Sequence, residues 1–96
     1  MLIVSIRHKA LRRFVETGNP RGLPSMYADK IGSVIQVIDN APDIEAFLTV
    51  PYFRTHALKG DRAGFYSASV SRNWRMTFRY DAESNTVEIL DLEDYH

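Results

Sequence analysis

The segment Trp74-Arg75-Met76-Thr77-Phe78-Arg79-Tyr80 alternates large apolar and polar side chains without a break. Successive side chains of a β-strand point to opposite faces. One face of this strand therefore carries Trp74, Met76, Phe78 and Tyr80, and the other carries Arg75, Thr77 and Arg79. So much aromatic surface has to be buried, while a pair of guanidinium groups has to stay in contact with water or a partner charge. Whatever this chain folds into must contain a sheet with one covered side and one bare side.

The flanking sequence supplies the rest of such an architecture. Phe65 to Val70 and Thr86 to Leu92 read as strands on either side of it. Short polar turns separate them, at Ser71-Arg72-Asn73 and Asp81 to Asn85. Closely spaced strands with turns this short argue for antiparallel pairing. Arg54 to Leu58 is a further candidate strand, followed by the turn Lys59-Gly60-Asp61-Arg62-Ala63-Gly64. Leu2 to Ile6, rich in β-branched residues, is another. Between the first strand and the meander the apolar period changes from two to nearly four. Lys9 to Thr17 places Leu11, Phe14 and Val15 at helical spacing, and Gly18 stops that helix. Ser25 can cap a second helix that runs to about Asn40, with Tyr27, Ile31, Val34, Ile35 and Ile38 on one stripe. Asp43 can cap a short turn carrying Ile44, Phe47 and Leu48, closed by Pro51. The expected fold class is α+β: a small antiparallel sheet with two N-terminal helices packed on one face. Residues 1–96 are expected to form a single domain.

Composition narrows the function. The 96 residues include no cysteine, which removes disulfides and thiolate metal sites and makes the cytoplasm the expected compartment. No apolar run approaches the roughly 20 residues of a membrane span, so no membrane partner is expected. Formal net charge is zero, but the charges are segregated. Residues 51–79 hold six basic groups and one acid, whereas residues 80–96 hold six acids and no base. Segregation of this kind leaves two outcomes open. The segments neutralise each other in the fold, or a basic patch survives for an anionic partner.

Candidate chemistry gathers at two places. His56 stands beside the glycine turn, and an imidazole changes charge near neutral pH. The chain then ends on Glu93-Asp94-Tyr95-His96, an acid, a phenol and an imidazole following a strand. If the last strand brings this end to the bare face, His56, Asp94, Tyr95 and His96 can meet Lys59, Arg75 and Arg79. Arginine forks bind phosphate oxygens in pairs; the alternative for Arg75 and Arg79 is cross-strand pairing with Glu88 or Glu93. A set of acid–base groups and cations of this kind fits RNA cleavage by the 2′-hydroxyl. That reaction needs a base, an acid and positive charge at the phosphoryl oxygens, and requires no metal or cofactor. His8 stands apart at the start of the first helix and reads as structural. The three histidines match no standard zinc spacing, and Gly60 to Gly64 lacks the Lys-Ser/Thr of a phosphate-cradling loop.

Four stretches together resemble the HigB toxins of the RelE/ParE toxin–antitoxin superfamily. They are Arg7-His8-Lys9-Ala10-Leu11, His56 to Ser67, Asn73-Trp74-Arg75-Met76-Thr77-Phe78, and the terminal Glu93-Asp94-Tyr95-His96. The resemblance covers nearly the whole chain. It implies a bacterial endoribonuclease, an mRNA interferase that cuts mRNA in the ribosomal A site. It also implies neutralisation by a HigA-like helix-turn-helix antitoxin whose complex with the toxin binds operator DNA. By motif, His56 and His96 correspond to the acid–base groups, Asp94 and Tyr95 to their neighbours, and Lys59 and Arg75 to the groups that hold the scissile phosphate. Two departures stand out: Ala57 where many relatives have proline, and a slightly longer chain at Val50-Pro51-Tyr52-Phe53. Other readings of the superfamily resemblance are a ParE-like inhibitor of DNA gyrase and a non-catalytic module that binds antitoxin and operator.

Overall fold

The computed structural model describes residues 1–94. The chain runs β1 (Leu2–Ile3), α1 (Lys9–Thr17), α2 (Ala28–Asn40), α3 (Ile44–Leu48), β2 (His56–Ala57), β3 (Phe65–Ser69), β4 (Trp74–Asp81) and β5 (Thr86–Asp94). The strands form one sheet in the order β1-β5-β4-β3-β2. Strands β2 to β5 pair antiparallel, as expected from the short turns. Strand β1 joins the other edge in parallel, Leu2 opposite Thr86 and Ile3 opposite Val87. The three helices between it and the meander return the chain to the far side of the sheet, so no hairpin constrains its direction.

Helix α1 begins where His8 caps it: the Leu11 amide donates to His8 Nδ1 at 3.1 Å. It ends at Gly18, whose left-handed φ of 78° lets its N–H donate to the Phe14 carbonyl. The expected structural role of His8 is thereby explained. Helix α2 starts later than expected. Ser25–Tyr27 forms a 3-10 turn behind Pro24, with the Tyr27 amide donating to the Pro24 carbonyl, and Ser25 makes no cap bond. Asp43 does cap α3, accepting from the Ala46 amide at 3.0 Å.

The helices cover one face of the sheet. Leu11, Ile31, Val34, Ile38, Ile44 and Phe47 from the helical side meet Ala68, Met76, Phe78, Val87, Leu90 and Leu92 from the strands. The Phe47 ring meets Phe78 edge-on, with centroids 5.1 Å apart. Strand β5 would lose this pattern at Ile89-Leu90, where two apolar residues stand together. A β-bulge absorbs the mismatch. Thr77 opposes Asp91 and Arg79 opposes Glu88, so one residue of β4 faces two of β5. Ile89 takes a positive φ of 46° and stays partly exposed, and Leu90 returns to the core.

The candidate strand before the glycine turn is cut to His56–Ala57. Arg54 has a φ of 49°, a left-handed turn that ends extended pairing on its N-terminal side.

Phe47 is fully buried on the core side of the sheet. Phe47→Ala is expected to cost about 3–5 kcal/mol, measured as a loss in the free energy of urea unfolding.

Candidate active site

Strand register decides which side chains meet on the bare face. One row across the sheet runs His56, Ser67, Thr77 and Asp91; the next runs Ser69, Arg75 and Glu93. A third, nearer the bulge, holds Phe65, Arg79 and Glu88. Residues two apart on a strand lie about 7 Å from each other, so the first two rows share a site and Arg79 lies a further row away.

A cavity of about 500 Å³ opens at the His56 and Arg75 end. Its cationic lining comes from four separate elements or turns: Lys30 on α2, Arg54 before β2, Arg72 in the β3–β4 turn, and Arg75 on β4. Tyr52 and Trp74 supply aromatic surface, and Ser67, Ser69 and Ser71 supply hydroxyls. Among the described residues no carboxylate lines it. A chain of zero net charge has therefore gathered positive charge at one concave place, where low-dielectric walls strengthen the field.

His56 is oriented by its own backbone. Its Nδ1 lies 2.8 Å from the Arg54 carbonyl oxygen. A carbonyl only accepts, so Nδ1 carries the proton and Nε2 is left with the lone pair. Arg54 itself has a left-handed φ of 49°. His56 is exposed, so Nε2 is open to a ligand from the cavity.

Beside this cavity lies a tight ionic network. Glu93 receives two bonds from Arg62, Nη1 to Oε1 at 3.0 Å and Nη2 to Oε2 at 2.8 Å. The Thr77 hydroxyl donates to the same carboxylate. Arg75 Nη2 lies 3.6 Å from Glu93 Oε1. Hydrogen bonding from Arg62 leads the effects that hold the Glu93 carboxyl down at about 2, with Thr77 and the charge of Arg75 adding to it. The same pairing raises the Arg62 guanidinium. Glu93 is thus a fixed anion throughout the physiological range and has no proton to give. Arg62 ties the turn after β2 to the sheet through a paired fork that a lysine does not reproduce.

The residues singled out in the sequence are only partly assembled. His56 and Arg75 meet in the cavity. Lys59 is exposed at the start of the 3-10 turn Gly60–Arg62 and does not line it. Arg79 is exposed across from Glu88, one pairing partner that the sequence pattern offered. Asp94 pairs in register with Trp74, in the row of the aromatic face rather than the arginine face. The expectation that Asp94 shares the bare face is corrected by this register. Tyr95 and His96 lie outside the described residues. Lys30, Arg54, Arg72 and Arg62 are additions. Arg62 was legible in the glycine turn as a cation six residues from His56. Lys30 carried no signal, being one polar residue on a helix. Among the described residues no cluster of three His, Asp or Glu is placed to hold a metal ion.

A small sheet with helices on one side is a frame that this chain shares with solved toxin structures. The chain superposes on a YoeB/ParE toxin from Agrobacterium tumefaciens with a TM-score of 0.64 and 18% identity, covering 100% of this chain and 99% of that one. YoeB from Staphylococcus aureus gives 0.61 at 16% identity, covering 100% and 97%. At the level of sequence, Endoribonuclease HigB of Proteus vulgaris is 39% identical over 95 residues, 99% of this chain and 100% of the relative. The family described as RelE-like toxin of type II toxin-antitoxin system HigB matches residues 4–96. The chain belongs to this family of HigB-like toxins, whose members are one half of a toxin–antitoxin pair.

An unfolded glutamate titrates near ~4.3, so a Glu93 held at about 2 stabilises the fold fully above about pH 5 and loses that contribution as pH falls toward about 2. Glu93→Gln is expected to lower stability at pH 7 and flatten its fall on the acid side, read as urea midpoints across a pH series.

Proposed function

We propose that residues 1–96 act as one toxin domain, an endoribonuclease that cuts mRNA on translating ribosomes. The observation that carries this reading is the His56 imidazole, fixed with Nε2 available, at the edge of a cavity with four cations and no carboxylate among its described lining. A phosphodiester is the ligand such a site suits. The full-length similarity to Endoribonuclease HigB of Proteus vulgaris supports the same reading.

In the proposed reaction the 2′-hydroxyl oxygen attacks the adjacent phosphorus and the bond to the 5′-oxygen breaks. The products are a 2′,3′-cyclic phosphate and a free 5′-hydroxyl. One group takes the 2′-hydroxyl proton and another gives a proton to the leaving oxygen. His56 and His96 share these two transfers. Tyr95 is the neighbour that orients and polarises them, whereas Asp94, in register with Trp74, lies in the row of the aromatic face. Arg75, with Arg54 and Arg72 beside it, offsets the charge that builds on the non-bridging oxygens. Lys59 and Arg79 lie further out and extend the cationic track for the flanking backbone. The ionised, saturated Glu93 holds Arg62 and borders Arg75 without taking part in proton transfer.

Partners follow from the same reading. A HigA-like helix-turn-helix antitoxin neutralises the toxin, and the pair binds operator DNA. The substrate is mRNA in the ribosomal A site, and the compartment is the cytoplasm. Among the described residues no helix is long and apolar enough to cross a membrane.

Primer extension on a reporter mRNA in a translating extract tests the proposal. Wild type is expected to create new 5′ ends at codon-linked positions. His56→Gln and His96→Gln are each expected to lower that rate by roughly 10²–10⁴-fold. Folded wild type that leaves the message intact would overturn the nuclease reading, and gyrase inhibition would then be assayed.

A further inference from the structure

Tyr52 is 81% exposed, an unusual state for an aromatic ring at the lining of a cavity. The chain on both sides of it is pinned. Phe53 packs against the core, its carbonyl accepts from the Ser69 amide at 2.6 Å, and Lys30 Nζ stands 6.0 Å from its ring centroid. On the other side the Val50 amide donates to the Phe47 carbonyl at 3.3 Å. Two residues after Tyr52, the left-handed Arg54 aims its carbonyl at His56. A short segment held at both ends thus displays one aromatic ring outward, beside the general acid–base candidate.

We infer that Tyr52 is a base-stacking platform, a specificity-determining residue that holds a nucleobase next to the scissile phosphate. This deepens the nuclease reading and rests on it. The chemistry around the ring selects the ligand. Arg54, Arg72, Arg75 and Lys30 call for an anion, and an exposed ring calls for a flat apolar face. Single-stranded nucleic acid offers both, with phosphate and base in alternation. A tyrosine side chain has few rotatable bonds, so ordering its ring on binding costs little conformational entropy. Trp74, half-buried in the same wall, gives the base a second apolar edge. Stacking tolerates any base but favours purines, whose larger faces cover more of the ring.

The test uses full-length protein and a short single-stranded RNA that carries 2-aminopurine and a 2′-deoxy sugar at the cleavage position. Stacking quenches 2-aminopurine fluorescence, and the deoxy sugar prevents reaction. Wild type is expected to bind with quenching. Tyr52→Ala is expected to bind about 5- to 150-fold more weakly and to lose the quench, whereas Tyr52→Phe keeps both. On cleavable mRNA, Tyr52→Ala is expected to raise KM while leaving kcat nearly unchanged. An exposed ring contributes little to stability, so equal urea midpoints for the three proteins exclude misfolding as the cause. Tyr52→Ala that binds and quenches like wild type would overturn the inference, as would wild type that binds without quenching or does not bind at all. Quenching by a wild type that cleaves no mRNA would sink the nuclease reading and leave the stacking site standing.

Discussion

Everything on the bare face depends on how β4 is held between its neighbours. This strand must bury Met76 and Phe78 and, by the same pleat, present Arg75, Thr77 and Arg79 to the other side. A slip of one residue would drive guanidinium groups into the core. Pairing with β3 is regular along its length, but pairing with β5 is not, because Ile89-Leu90 breaks the alternation there. The bulge at that point lets Val87 and Leu90 both reach the core while Asp91 and Glu93 rejoin the bare face. Glu93 therefore arrives opposite Arg75 only because one extra residue was accommodated two positions past Val87.

Electrostatics then builds on that register. The acidic end of the chain does neutralise part of the basic segment, through Glu93 on Arg62 and Arg75. Arg54, Arg72 and Arg75 of that segment, with Lys30 from α2, line the cavity. Both outcomes left open by the charge distribution are realised, in adjacent places. A carboxylate with its oxygens already occupied can sit beside a phosphate site without competing for a proton, and the Arg62 fork keeps it so.

Much of the fold was legible in the residues. The β4 alternation, the Gly18 stop, the Asp43 cap and the antiparallel meander each follow from local rules, and each is present. What escaped depends on partners distant in sequence. The parallel placement of β1 and the bulge in β5 are set by packing between segments more than 80 residues apart. The truncated β2 depends on Arg54 adopting a left-handed φ, which no side-chain pattern announces. Helix α2 starts only after the 3-10 turn Ser25–Tyr27, in which the Ser25 side chain makes no cap bond.

The site divides along the same line. Residue type and strand period by themselves determined that Arg75 faces away from the core and that Met76 and Phe78 face it. Chemistry and alternation are properties of the chain as written. Only tertiary structure decided that Asp94 falls in the row of Trp74, that Lys30 and Arg72 join the cavity, and that the Arg54 carbonyl fixes the His56 tautomer. Those facts rest on register, on chain direction and on one backbone torsion. Each is settled by the packing of the whole rather than by the residues on either side.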